Sequence, residues 1–262
     1  MRVACLFLVL FSTMATSEVV LAQNRFRVSN EIFAEGREEP IMKTLTLFTD
    51  ETVYDFAYAD AKGDVIEQAT LYDFTRNRFI LVDYVANAKV EITQEMLLRY
   101  LAELTNQVES KDPLLKEAAN PKFEITQDEN LIKFTGDRIK YEVKTFSPTH
   151  KSAAADYLRF ADWSARLTTL QFGQPPMARI AVNRELAKES LMPKQVVLIR
   201  SQGPIWENAK KLRSEHIYDW QLTKTDAKRI ETLDTKMAKI ETLSWADFNA
   251  KKAAAKPENK KR

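Results

Sequence analysis

Cysteine is almost absent from this chain: Cys5 is the only one among 262 residues. It lies in a segment that reads as a removable leader, so the mature chain keeps no thiol, which excludes disulfides, thiolate metal sites and cysteine nucleophiles. Glycine is nearly as scarce, with five residues. Neither a GxSxG nucleophile elbow nor a glycine-rich phosphate loop can be composed from them. The two histidines, His150 and His216, stand far apart with no histidine or carboxylate at metal-ligand spacing, so no known zinc pattern is present and no metal or cofactor is expected. Charge of one sign is also missing. Thirty-nine Lys and Arg balance 37 Asp and Glu to a net charge of +2, interleaved along most of the chain, and no nucleic-acid partner is expected.

The opening MRVACLFLVLFSTMATSEVVLA places Arg2 before an apolar run from Val3 to Phe11 and small residues, Val20 and Ala22, at its end. That is the layout of a signal peptide over residues 1–22, cut behind Ala22. The run is shorter than the roughly 18 to 20 residues a membrane span requires. Cys5 lies at its start, where lipoprotein processing does not use it. The expectation is an exported protein of the periplasm or cell envelope, soluble after cleavage. About 240 residues can bury a sizeable core without covalent staples. The far end, KKAAAKPENKKR, is basic. Residues 249–262 read as a solvated, disordered tail, or as a weak contact with an anionic envelope surface at about 1 kcal/mol per basic residue.

Between leader and tail, the periodicity is mostly two. Phe26, Val28, Ile32 and Ala34 alternate with Arg25, Arg27, Ser29 and Glu31, and further strands are expected at Met42–Phe48, Thr52–Tyr58, Val65–Phe74, Arg78–Tyr84 and Lys89–Ile92. The period changes at Thr93. Met96, Leu97, Tyr100, Leu101, Leu104 and Val108 form a helical stripe with Thr93 as N-cap, and Asp112-Pro113 starts a second short helix. Strands resume at Lys122–Thr126, Leu131–Phe134 and Arg138–Phe146. A helix follows over Ala153–Leu170, a short one around Arg184–Glu189, and strands at Val196–Ile199 and Leu212–Leu222. A last amphipathic helix, capped by Thr225, carries Ile230, Leu233, Met237 and Ile240; Ser244 and Asp247 cap one more turn. No repeat or Gly/Pro linker divides the chain. The expected fold is α+β: residues 23–248 form one domain, a curved antiparallel sheet or unclosed barrel of about nine to eleven strands, with helices packed on one face.

Aromatic residues are what this sheet has in surplus. Tyr54, Phe56, Tyr58, His216, Tyr218 and Trp220 alternate along two of its strands and are the candidate ligand-binding residues. They serve equally as core under the helices or as the wall of an apolar groove for an acyl chain or amphipathic peptide. His150 reads as an exposed helix-start residue, and His216 as packed or hydrogen-bonded. No spacing of acids argues for glycoside hydrolysis, and no catalytic residue is assigned.

The order of these elements, with a helix inserted after LYDFTRNRFILVDYVANAKVEIT and late strands ahead of a helix, resembles the periplasmic carrier family of outer-membrane lipoproteins. The stretch YLRFADWSARLTTLQFGQPPMARIAVNREL is also similar to exported bacterial proteins without an assigned activity. The carrier resemblance implies an unclosed barrel with a helical lid that holds lipid chains, and hence a lipid or lipoprotein partner. The basic tail and the long closing helix depart from that family, and no position here is matched to the arginine that governs its lid. The alternative expectation is an envelope structural or protein-interaction module with no small-molecule ligand.

Overall fold

A computed structural model of the chain describes residues 25–60, 62–107, 112–201 and 209–255. The expected signal peptide and the last seven residues of the tail lie outside them. The described residues form one sheet of twelve strands with six helices. The strands are β1 (Phe26–Ala34), β2 (Met42–Phe48), β3 (Thr52–Tyr58), β4 (Ile66–Asp73), β5 (Arg78–Asp83), β6 (Ala88–Thr93), β7 (Glu124–Asp128), β8 (Leu131–Thr135), β9 (Ile139–Phe146), β10 (Met192–Arg200), β11 (Lys210–Asp219) and β12 (Thr242–Leu243). Their order across the sheet is β12-β6-β5-β4-β3-β2-β1-β11-β10-β9-β8-β7. Two meanders, β1 to β6 and β7 to β11, are joined where β1 pairs antiparallel with β11, Asn30 lying opposite His216. The sheet does not close on itself, since β12 and β7 end it. The one parallel pairing is β12 on β6.

The helices are α1 (Gln94–Gln107), α2 (Pro113–Ala119), α3 (Lys151–Phe172), α4 (Met177–Lys188), α5 (Lys224–Lys239) and α6 (Trp245–Ala255). The amide of Met96 donates to Thr93 Oγ1 at the start of α1, and that of Leu114 to Asp112 Oδ1 at the start of α2. Gly173 ends α3 in the left-handed conformation, its N–H on the Thr169 carbonyl, and a side chain at that φ would cost roughly 1–2 kcal/mol.

The larger core joins the helices to one face of the sheet. Phe26 and Phe48 stack at 4.1 Å, Phe160 of α3 meets Phe48 and Tyr72 edge-on, and Phe79 approaches Trp163. Phe26, Phe48 and Phe79 are fully buried, each contributing about 1.5–3 kcal/mol by leaving water. Phe248 of α6 belongs to this core as well. This is the inner face.

The expectation of helices on one face alone is corrected by α5. Leu233, with Ile230 and Met237, packs on Leu45, Leu47, Phe56, Ala69 and Val82, a second cluster formed by the strand positions alternate to those of the first. A pleated strand sends neighbours to opposite faces, so α5 lies on the outer face, over β2 to β5. Thr223 and Asp226 form a capping box at its start, two residues ahead of the expected Thr225. Asp226, fully buried, also pairs with Arg27 and Arg229, each at 3.0 Å. Burial pushes its carboxyl up, but hydrogen bonds from Thr223 and the Arg27 charge outweigh this and hold it below the usual carboxylate range. The chain then passes through β12 at the edge of β6 and enters α6 on the inner face. A second difference follows: residues 249–255 continue α6 and are not tail. Lys252 donates to Gln68 and lies 3.6 Å from buried Asp83, while Lys251 donates to the Asn87 carbonyl.

Candidate functional site

The six aromatic candidates do not share one surface. Tyr54, Phe56 and Tyr58 point outward beneath α5; Phe56 is fully buried there. The Tyr54 hydroxyl is pushed up to about 12 by burial, with Asp234 and Asp73 adding to it, and burial also raises Tyr58. These three are structural residues of the outer cluster, and the idea that they line a groove with β11 is corrected on that ground.

His216, Tyr218 and Trp220 lie on the inner face. Their rings run along β11 as a near-parallel ladder, 6.5 Å and 6.1 Å between successive centroids, tilted by 16° and 15°. The ladder leads outward: Trp220 is 39% exposed and rests against buried Phe26 at 5.6 Å. Tyr157 of α3 covers it, edge-on to both His216 and Tyr218. The Tyr218 hydroxyl donates to the Pro193 carbonyl at 2.7 Å. Burial raises both phenols, so neither ionises in the physiological range.

At the inner end of the ladder the packing turns polar. His216 Nδ1 is buried and has no hydrogen-bond partner among the described residues. The Lys194 carbonyl favours a proton on the ring, and with that proton placed on Nε2 the unpartnered Nδ1 is an acceptor. Burial and the nearby Arg179 charge lower the His216 pKa from 6.5 to about 3 against the pull of that carbonyl, so the imidazole is neutral. Directly across the β1–β11 pair stands Asn30, whose Oδ1 is also buried without a partner among the described residues. Two strands away Thr46 Oγ1 donates to Asp55 Oδ1 at 2.8 Å. Burial raises the Asp55 carboxyl to about 6 despite that bond. Thr70 continues the row on β4. Arg179 of α4 acts on Tyr141, Tyr157, His216 and Tyr218 alike and forms no ion pair among the described residues.

Asn30, Asp55 and Arg179 were not among the sequence candidates, yet two of them carry a legible signal. Asn30 interrupts the apolar phase of β1, set by Phe26, Val28, Ile32 and Ala34, and Asp55 stands between Val53 and Ala57 on β3. A polar residue in the buried phase of a strand costs free energy unless something bonds to it. Arg179 had no such signal. His150 occupies the N-cap position of α3 and is exposed, as expected.

The site as a whole combines a ladder of rings exposed at Trp220, two unpartnered buried atoms and an acid whose charge is disfavoured, under helical cover. A hydrogen-bond donor at the inner end of the rings would satisfy the two unpartnered atoms. Among the described residues no group of three or more metal-ligating side chains converges, and no helix is long and apolar enough to cross a membrane. No protein-family model matches the chain, and no curated protein matches it.

Proposed function

We propose that this protein is an exported binding or carrier protein that shelters an acyl chain, free or attached to a lipoprotein, along the inner-face aromatic path beneath α3. The observation that carries this reading is the pair Asn30 Oδ1 and His216 Nδ1: two buried acceptors side by side, at the closed end of a ring ladder that opens at Trp220. An unpaired buried acceptor costs about 1–3 kcal/mol, a cost that a bound ligand carrying an N–H or O–H donor removes. The ester or acid head of an acyl chain, with its water, or the amide of a lipidated terminus supplies that donor, while the hydrocarbon follows Tyr218 and Trp220. The neutral state of His216 and the raised Asp55 suit an uncharged ligand end.

Native mass spectrometry of protein purified from the exported fraction, together with displacement of a fluorescent fatty acid, tests the reading. A lipid adduct is expected on the native chain, and Trp220→Ala with His216→Phe removes it. Absence of any adduct and of fatty-acid binding by the native chain ends the proposal. The interaction-module alternative is favoured by one observation, the wholly exposed edge strand β7 with Ile125 at 45%, which offers free backbone to a partner strand. Loss of an envelope partner on Ile125→Lys, with lipid binding unaffected, would support it.

A further inference from the structure

Away from the inner face, a groove of about 430 Å³ runs between α3 and α4 on the outside of the helical cover, within the range of small-ligand sites. Its floor is apolar: Ala154, Leu158 and Ile180 are all buried. Its rim is basic. Arg159, Arg166 and Arg184 line it against one carboxylate, Asp162. That carboxylate is already engaged, accepting from Asn183 Nδ2 at 2.8 Å and lying 3.7 Å from Arg166. Arg159 and Arg166 are held by ring faces, Arg159 4.0 Å above Phe74 and Arg166 4.9 Å above Trp163. Such contacts position a guanidinium without neutralising it. Arg184 is exposed and has no ion pair among the described residues.

Asn183 adds an independent sign of a ligand. Its side chain is 2% exposed and lines the groove, and its Oδ1 is buried with no partner among the described residues. The large majority of buried side-chain polar atoms in proteins have a partner. The groove therefore offers three things at once: hydrocarbon contact below, positive charge along the rim and one acceptor awaiting a donor.

We infer that the α3–α4 groove binds a single-chain amphiphile whose anionic head also carries a hydroxyl, of the lysophospholipid class. The chain lies on Ala154, Leu158 and Ile180, the phosphate between Arg159, Arg166 and Arg184, and the hydroxyl donates to Asn183 Oδ1. This site is separate from the ladder on β11 and does not depend on the acyl-carrier reading.

Isothermal titration of the full chain with lysophosphatidylglycerol, lysophosphatidylcholine and dodecyl phosphate, each below its micellar concentration, provides the test. The anionic lysolipid binds about tenfold or more tighter than the zwitterionic one, because the choline cation is repelled by the three guanidiniums. Arg159→Gln with Arg184→Gln weakens both lysolipids and removes the preference between them. Asn183→Leu, which deletes the unpartnered acceptor together with the 2.8 Å bond to Asp162, erases the preference for the glycerol head over dodecyl phosphate, while circular dichroism shows the fold retained. Equal binding of the two lysolipids overturns the inference. So does affinity confined to anionic vesicles with none for the monomers, which would make the rim a membrane contact. Loss of lysophosphatidylglycerol binding in His216→Phe would place that ligand on β11 instead and overturn it too. A fatty acid that binds while lysophosphatidylglycerol does not leaves the carrier reading standing and removes this one.

Discussion

The two faces of the sheet are built to different ends. Under α5 the outer face is aliphatic and sealed: Leu47, Phe56, Val82 and Leu233 have no contact with solvent, and the helix is tied down by the buried carboxylate of Asp226. Past β1 that face loses its helix and becomes a charged surface, with Lys140, Glu142 and Lys144 on β9 and Arg213 lying over Phe33. The inner face is covered more fully, by α3, α4 and α6, and yet is less well satisfied. It holds Asn30 and His216 with unpartnered acceptors, and Asp55 in a place that disfavours its charge. Better cover with poorer satisfaction is what the proposed ligand-binding role would leave on a surface, since a face that serves only stability gains from being apolar throughout.

The largest effect should come from unsealing the outer face. Asp226→Ala removes the capping box and leaves Arg27 without its buried partner, and a loss of about 3 kcal/mol is expected in chemical denaturation. Leu233→Ala should cost about the same or slightly less, roughly 2–3 kcal/mol, by leaving a cavity beneath α5. If either variant also lost lipid binding, the division of labour between the faces would fail.

On the inner face the sign reverses. Asp55→Asn should stabilise the fold at pH 7.5 on the order of 2 kcal/mol, because the native carboxyl must ionise in a site that raises it to about 6. A raised folded pKa means that the native Asp55 supports the fold below its ordinary value near 3.8 and withdraws that support as pH rises through 6. His216 works the other way. Its pKa is depressed to about 3, so the unfolded chain takes up the proton first and stability falls as pH drops from 6.5 toward 3. The two oppose each other between about pH 4 and 6. Asp55→Asn should therefore show a steeper acid loss over that window than the native chain, read from denaturation midpoints at successive pH values. The smallest expected effect is that of Asn30→Leu with His216→Phe. Exchanging both unpartnered groups for apolar ones should change stability by no more than about 1 kcal/mol, and in the favourable direction, while abolishing acyl binding. A loss of several kcal/mol in that variant would show the pair to be ordinary core.

Much of the architecture could be read from residue spacing. β2 and β3 run from Met42 to Phe48 and Thr52 to Tyr58 as their alternation predicts, and Thr93 and Asp112 cap α1 and α2. The reading failed where spacing is silent. The double phase of β3, with Tyr54, Phe56 and Tyr58 alternating with Val53, Asp55 and Ala57, announces a strand covered on both faces, but not which helix lies on which. That depended on α5 and α6 straddling the edge of β6, a matter of contacts more than 140 residues apart, such as Lys89 donating to the Met237 carbonyl. The candidate site suffered in the same way. His216, Tyr218 and Trp220 stand out in the sequence as rings at alternate positions, whereas Asn30 and Asp55 resemble any polar residue in a strand.

The sequence by itself determined the local elements, because strand alternation and helix caps act over a few residues. Only the tertiary structure decided that β1 pairs with β11, and so that Asn30 meets His216. It also decided that the aromatic strands divide between two faces and that three arginines share one groove. Those are distances between segments remote in the chain, fixed by which surfaces can be buried together, and no local pattern encodes them.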